Sequence, residues 1–129
     1  MQSVRVMEAT LLQELLTMGA QDGIADITQS AHQYLDVGQN EDLVFYVDVR
    51  DVVNAVSIFF ETSPTPQNSS FLPMVAPVKV TVPGLVVSRA SFSTAAVPPA
   101  RYVRWRLNGP PSGGWRVTFR IWCAMYSYC

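Results

Sequence analysis

The stretch Trp115-Arg116-Val117-Thr118-Phe119-Arg120-Ile121-Trp122-Cys123-Ala124-Met125 decides the fold class. Its odd positions are all apolar, and its even positions begin Arg116, Thr118, Arg120. Successive side chains of an extended strand point to opposite faces, so this alternation predicts a β-strand with one buried face. Residues 103–107 repeat the pattern, with Val103, Trp105 and Leu107 against Arg104 and Arg106. Between the two runs lies Asn108-Gly109-Pro110-Pro111-Ser112-Gly113-Gly114, a composition that supports neither helix nor strand. The two strands can close as a hairpin across this loop or be joined in another topology.

Working outward, further strands follow from the same rule. Leu43, Phe45, Val47 and Val49 alternate with polar Asp48 and Arg50 on the other face; Val56, Ile58 and Phe60 oppose Ser57, Phe59 and Glu61. Val78, Val80 and Val82 alternate with Lys79 and Thr81 before Pro83-Gly84, and residues 85–92 form a weaker strand ahead of Pro98-Pro99. Residues 62–77 hold four prolines around Asn68-Ser69-Ser70 and read as a long loop with a short extended piece near residues 71–74. Many short strands with nine prolines predict an all-β chain, an antiparallel β-sandwich of jelly-roll or Ig-like form with a long Pro-rich loop. Residues 1–9 read as an N-terminal arm, flexible or docking, and residues 10–129 as one sandwich domain. Within residues 10–18, Leu11, Leu12, Leu15 and Leu16 have helical spacing and Thr10 with Gln13 matches a capping box, so the local pattern leans to helix while an extended strand stays open.

Composition narrows the function. Charged residues are 15% of the chain against 49% hydrophobic. So low a charge density suggests that a partner covers part of the surface. The net charge of −1 argues against a general nucleic-acid binder. Lys79 is the only lysine, and the other basic residues are arginine, whose planar fork suits protein contacts. The N-terminus lacks the apolar run of a signal peptide and no apolar stretch is long enough to span a bilayer, so a cytoplasmic site of synthesis is expected. Cys123 and Cys129 are the only cysteines. In an extended tail their Cα atoms stand roughly 20 Å apart, too far for a disulfide, so both are expected as free thiols.

No catalytic or metal site assembles. His32 is the only histidine and sits in a polar stretch, where a solvated imidazole is the expectation rather than a triad base. Asp36, Asn40, Glu41 and Asp42 around Gly38 supply calcium-type oxygens, but without EF-hand spacing they read as a turn. Asp48, Asp51 and Glu61 carry the carboxylates of a glycosidase, yet nothing in the sequence places two of them together. Asn68-Ser69-Ser70 matches a glycosylation sequon that means little without secretion. The arginine face stands out instead. Arg104 with Arg106, and Arg116 with Arg120, share strand faces, and pairing of the two strands would crowd four guanidinium groups. They read either as a solvated face neutralised by Asp48, Asp51 or Glu61, or as a partner-binding face. The tail from Trp122 to Cys129 is apolar on both faces and belongs either in the core or against a neighbour.

The order of motifs resembles a family of small phage and prophage virion proteins. The residues that carry the resemblance are Thr10-Leu11-Leu12, the turn at Asp22-Gly23, Ile24-Ala25-Asp26-Ile27, the run Leu43-Val44-Phe45-Tyr46-Val47-Asp48-Val49, Glu61-Thr62-Ser63-Pro64, Arg101-Tyr102-Val103-Arg104 and Thr118-Phe119. They span most of the chain. The chain departs where the family often has Asp-Gly and Trp after Ser-Pro; here Thr65-Pro66-Gln67 follows, with Phe71 in the aromatic place. The resemblance implies a β-sandwich and makes residues 10–18 a strand. It also implies a structural virion role, foremost a capsid decoration or cement protein on the head exterior, made in a bacterial host cytoplasm. Its partner would be the major capsid protein or another virion protein, in a homo-oligomer for which a trimer is one option; composition and hydropathy add the expectation of no membrane, no nucleic acid and no cofactor. The alternatives are a tail or connector component, or a carbohydrate-binding adhesion module using Trp105 or Tyr102.

Overall fold

The computed structural model describes residues 5–20, 26–38, 42–91, 93, 95–110 and 114–128. Expectations that fall on residues 1–4, 21–25, 39–41, 92, 94, 111–113 and 129 lie outside these. Among the described residues ten strands form: β1 (Arg5–Ala20), β2 (Asp26–Thr28), β3 (Leu35–Asp36), β4 (Asp42–Val53), β5 (Val56–Ser63), β6 (Leu72–Pro73), β7 (Val78–Val80), β8 (Gly84–Ser91), β9 (Tyr102–Asn108) and β10 (Trp115–Tyr128). Short 3-10 turns at Ala31–Gln33 and Asn68–Ser70 interrupt them.

Two antiparallel sheets pack face to face. The first has the order β1-β10-β4-β8 and the second β2-β9-β5-β6, with β3 also on β9 and β7 also on β5. β2 and β3 meet different halves of β9, and β6 and β7 different halves of β5, so each pair makes one interrupted edge. The second sheet's six strands therefore lie in four rows, facing the four strands of the first. The chain crosses between the sheets from β1 to β2, β3 to β4, β4 to β5, β7 to β8, β8 to β9 and β9 to β10. Such paired wrapping of distant strands is the jelly-roll form of the sandwich, not the Ig-like one. The arrangement decides against the hairpin and for the other topology: β9 and β10 are neighbours in sequence yet lie in opposite sheets.

The core follows the alternation. Trp115, Val117, Phe119, Ile121, Cys123 and Met125 all turn inward from β10, and Leu43, Phe45, Val47 and Val49 from β4. Val56, Ile58 and Phe60, with Val103, Trp105 and Leu107, meet them from the second sheet. Phe45 stacks on Phe60 at 4.0 Å between centroids, and Trp105 meets Phe119 edge-on at 5.3 Å. Both contacts join the two sheets. Burying large side chains of this kind contributes about 1.5–3 kcal/mol each. Gly109, just past β9, gives room for the Trp115 indole; a Cβ there would sit 2.4 Å from Trp115 Cδ1.

β1 is a strand throughout its described length, and Arg5–Ala9 pair with Ala124–Tyr128, so residues 5–9 of the segment expected as an arm belong to the edge strand, while residues 1–4 lie outside the described residues. Its register shifts between Leu11 and Gln13 and again between Gln13 and Leu16. Each extra residue breaks the two-residue period. Leu12 and Gln13 are both buried as a result, while Glu14 and Leu15 are both exposed. The buried amides are put to use. Gln13 Oε1 accepts from the Trp105 indole at 3.0 Å. Gln29 Nε2 donates to the Leu12 carbonyl at 2.7 Å, and Gln29 Oε1 accepts from Trp105 N at 3.2 Å. Two glutamines thus tie the sheets together through the core with their polar groups satisfied.

Candidate functional site

The predicted arginine face is divided between opposite sides of the molecule. Arg104 and Arg106 lie on the outer face of the second sheet, and Arg116 and Arg120 on the outer face of the first. The four do not form one patch, because the sandwich stands between the pairs.

Arg104 is not a surface residue. Its exposure is 4%. Its Nε donates to Glu61 Oε1 at 2.9 Å, while Nη1 donates to the Tyr34 hydroxyl at 3.0 Å and to Asn68 Oδ1. The guanidinium carbon stands 4.2 Å from the centroid of the buried Phe71 ring. Tyr34 belongs to the segment after β2, and Asn68 and Phe71 to the Pro-rich loop after β5. Arg104 therefore pins two loops over its own sheet. Glu61, equally buried, also accepts from Arg106 Nε at 3.0 Å, and Arg106 reaches Asp26 at 2.6 Å and the Phe59 ring at 4.0 Å. A buried charge persists only when paired and hydrogen-bonded, and this cluster meets both conditions. The expected neutralisation by Glu61 is present, with Arg104 and Glu61 covered while Arg106 and Asp26 reach solvent.

On the first sheet, Arg116 pairs with Asp51 at 3.1 Å and Arg120 with Asp48 at 3.1 Å. A bulge at Arg50 turns Arg50 and Asp51 outward together, and Arg50 Nε joins Asp48 at 2.9 Å. The Arg50 hydrogen bond, with help from Arg120, holds the Asp48 carboxyl below its ordinary value of 3.8. These pairs occupy one end of the face. Its other part is mainly apolar, with Arg89 at its β8 edge paired to Asp42. Leu11, Trp122, Tyr46 and Val87 stand in register across the four strands, next to Ala9, Ala124 and Val44. Leu85, Val87 and Trp122 are 65%, 53% and 40% exposed. Ala9, Tyr46, Leu85, Trp122, Ala124 and Tyr126 line a shallow depression of about 390 Å³. Sequence alternation put Trp122 on the polar side of β10, and its even position was the one signal that it faces outward.

The other candidates disperse. His32 is exposed on a 3-10 turn. Asp36 pairs with Arg101 and accepts from the Gly38 amide, and Asp42 pairs with Arg89. Asp48 and Asp51 stand on one sheet and Glu61 on the far side of the other. Among the described residues no three His, Cys, Asp or Glu side chains group to hold a metal ion. Trp105, considered for sugar stacking, is buried at 1% exposure, and Tyr102 lies under Arg101. Cys123 is a buried free thiol whose pKa burial pushes up to about 12. No helix among the described residues is long and apolar enough to cross a membrane.

No protein-family model matches this chain, and no curated protein matches it significantly.

Proposed function

We propose that this chain is a structural protein of a bacteriophage particle that docks on the head exterior as a decoration or cement protein. One observation carries the reading: the apolar outer face of the β1-β10-β4-β8 sheet, with Trp122, Leu85 and Val87 open to solvent. A contiguous apolar face on a small β-body is suited to covering by another protein surface. On the opposite sheet the loops and ion pairs around Arg104 and Glu61 cover part of the outer face. The motif order supports a virion role, and jelly rolls recur in viral capsid and lectin domains, an analogy of fold alone. The partner is the major capsid protein or another virion protein. Each Å² of apolar surface buried there contributes roughly 25 cal/mol before the costs of association. Nucleic acid suits the surface poorly, since Arg104 is buried and Arg106, Arg116 and Arg120 already hold carboxylates.

The test is sedimentation of the purified chain with empty heads and, separately, with isolated tails. Head binding that Trp122→Ser abolishes while the unfolding transition stays in place is the expected result. A chain left in the supernatant with both particles overturns the virion reading, and binding to tails alone makes it a tail or connector component.

A second reading, sugar binding for adhesion, is favoured by the depression itself, where Trp122, Tyr46 and Tyr126 supply aromatic faces near Asp48 and Arg120. Glycan-array binding lost in Trp122→Ala would select it.

A further inference from the structure

The four sheet edges differ in how they are protected. On the second sheet both edges are broken into pieces of two or three residues, β2 with β3 and β6 with β7, and Pro73 sits in β6. On the first sheet β1 carries two register shifts. Short segments, prolines and bulges are the usual devices that stop an edge from adding another strand. β8 has none of them. Its pairing with β4 runs unshifted from Asp42↔Ser91 to Val49↔Gly84, and among the described residues no strand pairs with its other side. Leu85 and Val87 point outward along it and are more than half exposed.

We propose that β8 joins two copies of this chain by antiparallel pairing with β8 of the second copy, about a two-fold axis at Val87. The two four-stranded sheets become one sheet of eight. This deepens the reading above, in which the chain is a subunit of an assembly, by naming the edge through which copies meet. A strand paired with itself must be self-complementary, and side chains of like facing must stand opposite each other. Centring on Val87 sets Val87 against its own copy, a favourable β-branched pair. Leu85 then lies against the aliphatic stem of the copy's Arg89. The two Arg89 groups are four strand steps apart, roughly 13 Å, beyond the range of strong repulsion in physiological salt. Centring on Arg89 would set them face to face. The Val87 register also keeps nearly the whole strand paired, and main-chain hydrogen bonds supply the affinity of such additions.

The test uses the purified full chain without phage particles. Sedimentation equilibrium should give twice the monomer mass. Val87→Lys puts two ammonium groups opposite each other, and Leu85→Lys places one beside the copy's Arg89. Both variants should sediment as monomers with an unchanged unfolding transition. In a Cys129→Ser background, Val87→Cys should oxidise to a covalent dimer and Leu72→Cys, on the far sheet, should not. A wild-type chain that stays monomeric at every concentration overturns the inference. So does a dimer indifferent to both lysine variants, or equal cross-linking through Leu72→Cys. Failure here, with head binding intact, removes the β8 contact alone; head binding lost with the dimer intact removes the docking reading alone.

Discussion

On the outer face of one sheet, Arg104 and Glu61 are as buried as aliphatic core residues; on the outer face of the other, Leu85 and Trp122 stand in solvent. Charge lies inside and hydrocarbon outside, the reverse of what residue type alone suggests. The difference comes from what the connecting segments do. The loop after β5 and the segment after β2 fold back over the second sheet and are fastened by Arg104. The described connections leave the apolar part of the first sheet open. A face closed by its own loops is a stability device, while an open apolar face is available for an outside partner.

That contrast breaks first at Arg104. Arg104→Ser leaves Glu61 with one guanidinium fewer and unfastens both loops, and a cost of about 3–5 kcal/mol is expected for removing one partner of a buried pair. Urea unfolding measures it, and a loss below about 1 kcal/mol, the value of an exposed pair, would mean the face is not sealed. Phe71→Ala should cost somewhat less, about 3 kcal/mol for a buried aromatic, with faster proteolysis within residues 64–77. Trp122→Ser on the open face should change stability by no more than about 0.5 kcal/mol, although it removes a larger side chain. Arg116→Ser should be smaller still, because its pair with Asp51 is solvent-exposed.

Acidity sharpens the same comparison. Asp48 titrates below its ordinary value when folded, so its contribution is present above about 3.8 and fades as pH falls through the lower folded value. Asp48→Asn should flatten that part of the acid limb of a stability-against-pH curve. At the alkaline side the sign reverses. The Cys123 thiol is raised from 9.0 to about 12, so the folded chain loses stability as pH climbs through that window. Cys123→Ala should remove that loss, as followed by thermal unfolding at successive pH values.

Much of the fold was legible because period-two patterning survives wherever a strand is regular. Every odd residue from Trp115 to Met125 is buried as the alternation requires. β1 was ambiguous for a physical reason: its two bulges set Leu11, Leu12, Leu15 and Leu16 at spacings that imitate a helix. The motif order, not the local pattern, favoured a strand there. Whether residues 103–107 pair with 115–125 stayed open in the sequence, because a Gly- and Pro-rich connection suits a hairpin and a crossing between sheets equally well. Arg104 was placed correctly on the outward side of its strand, but alternation assigns a face and says nothing of loops that return to cover it. Gln13 and Gln29 gave no signal, since a buried amide and a solvated one look alike in sequence.

The pairing of β1 with β10 bears on how the chain reaches this state. The hydroxyls of Thr17 and Thr118 share a hydrogen bond across 101 positions. During synthesis, β1 leaves the ribosome long before its neighbour exists. Such non-local closure slows folding and leaves apolar strands exposed to aggregation meanwhile. The two bulges that kink β1 therefore have a second consequence: they make it a poor template for other nascent chains while it waits.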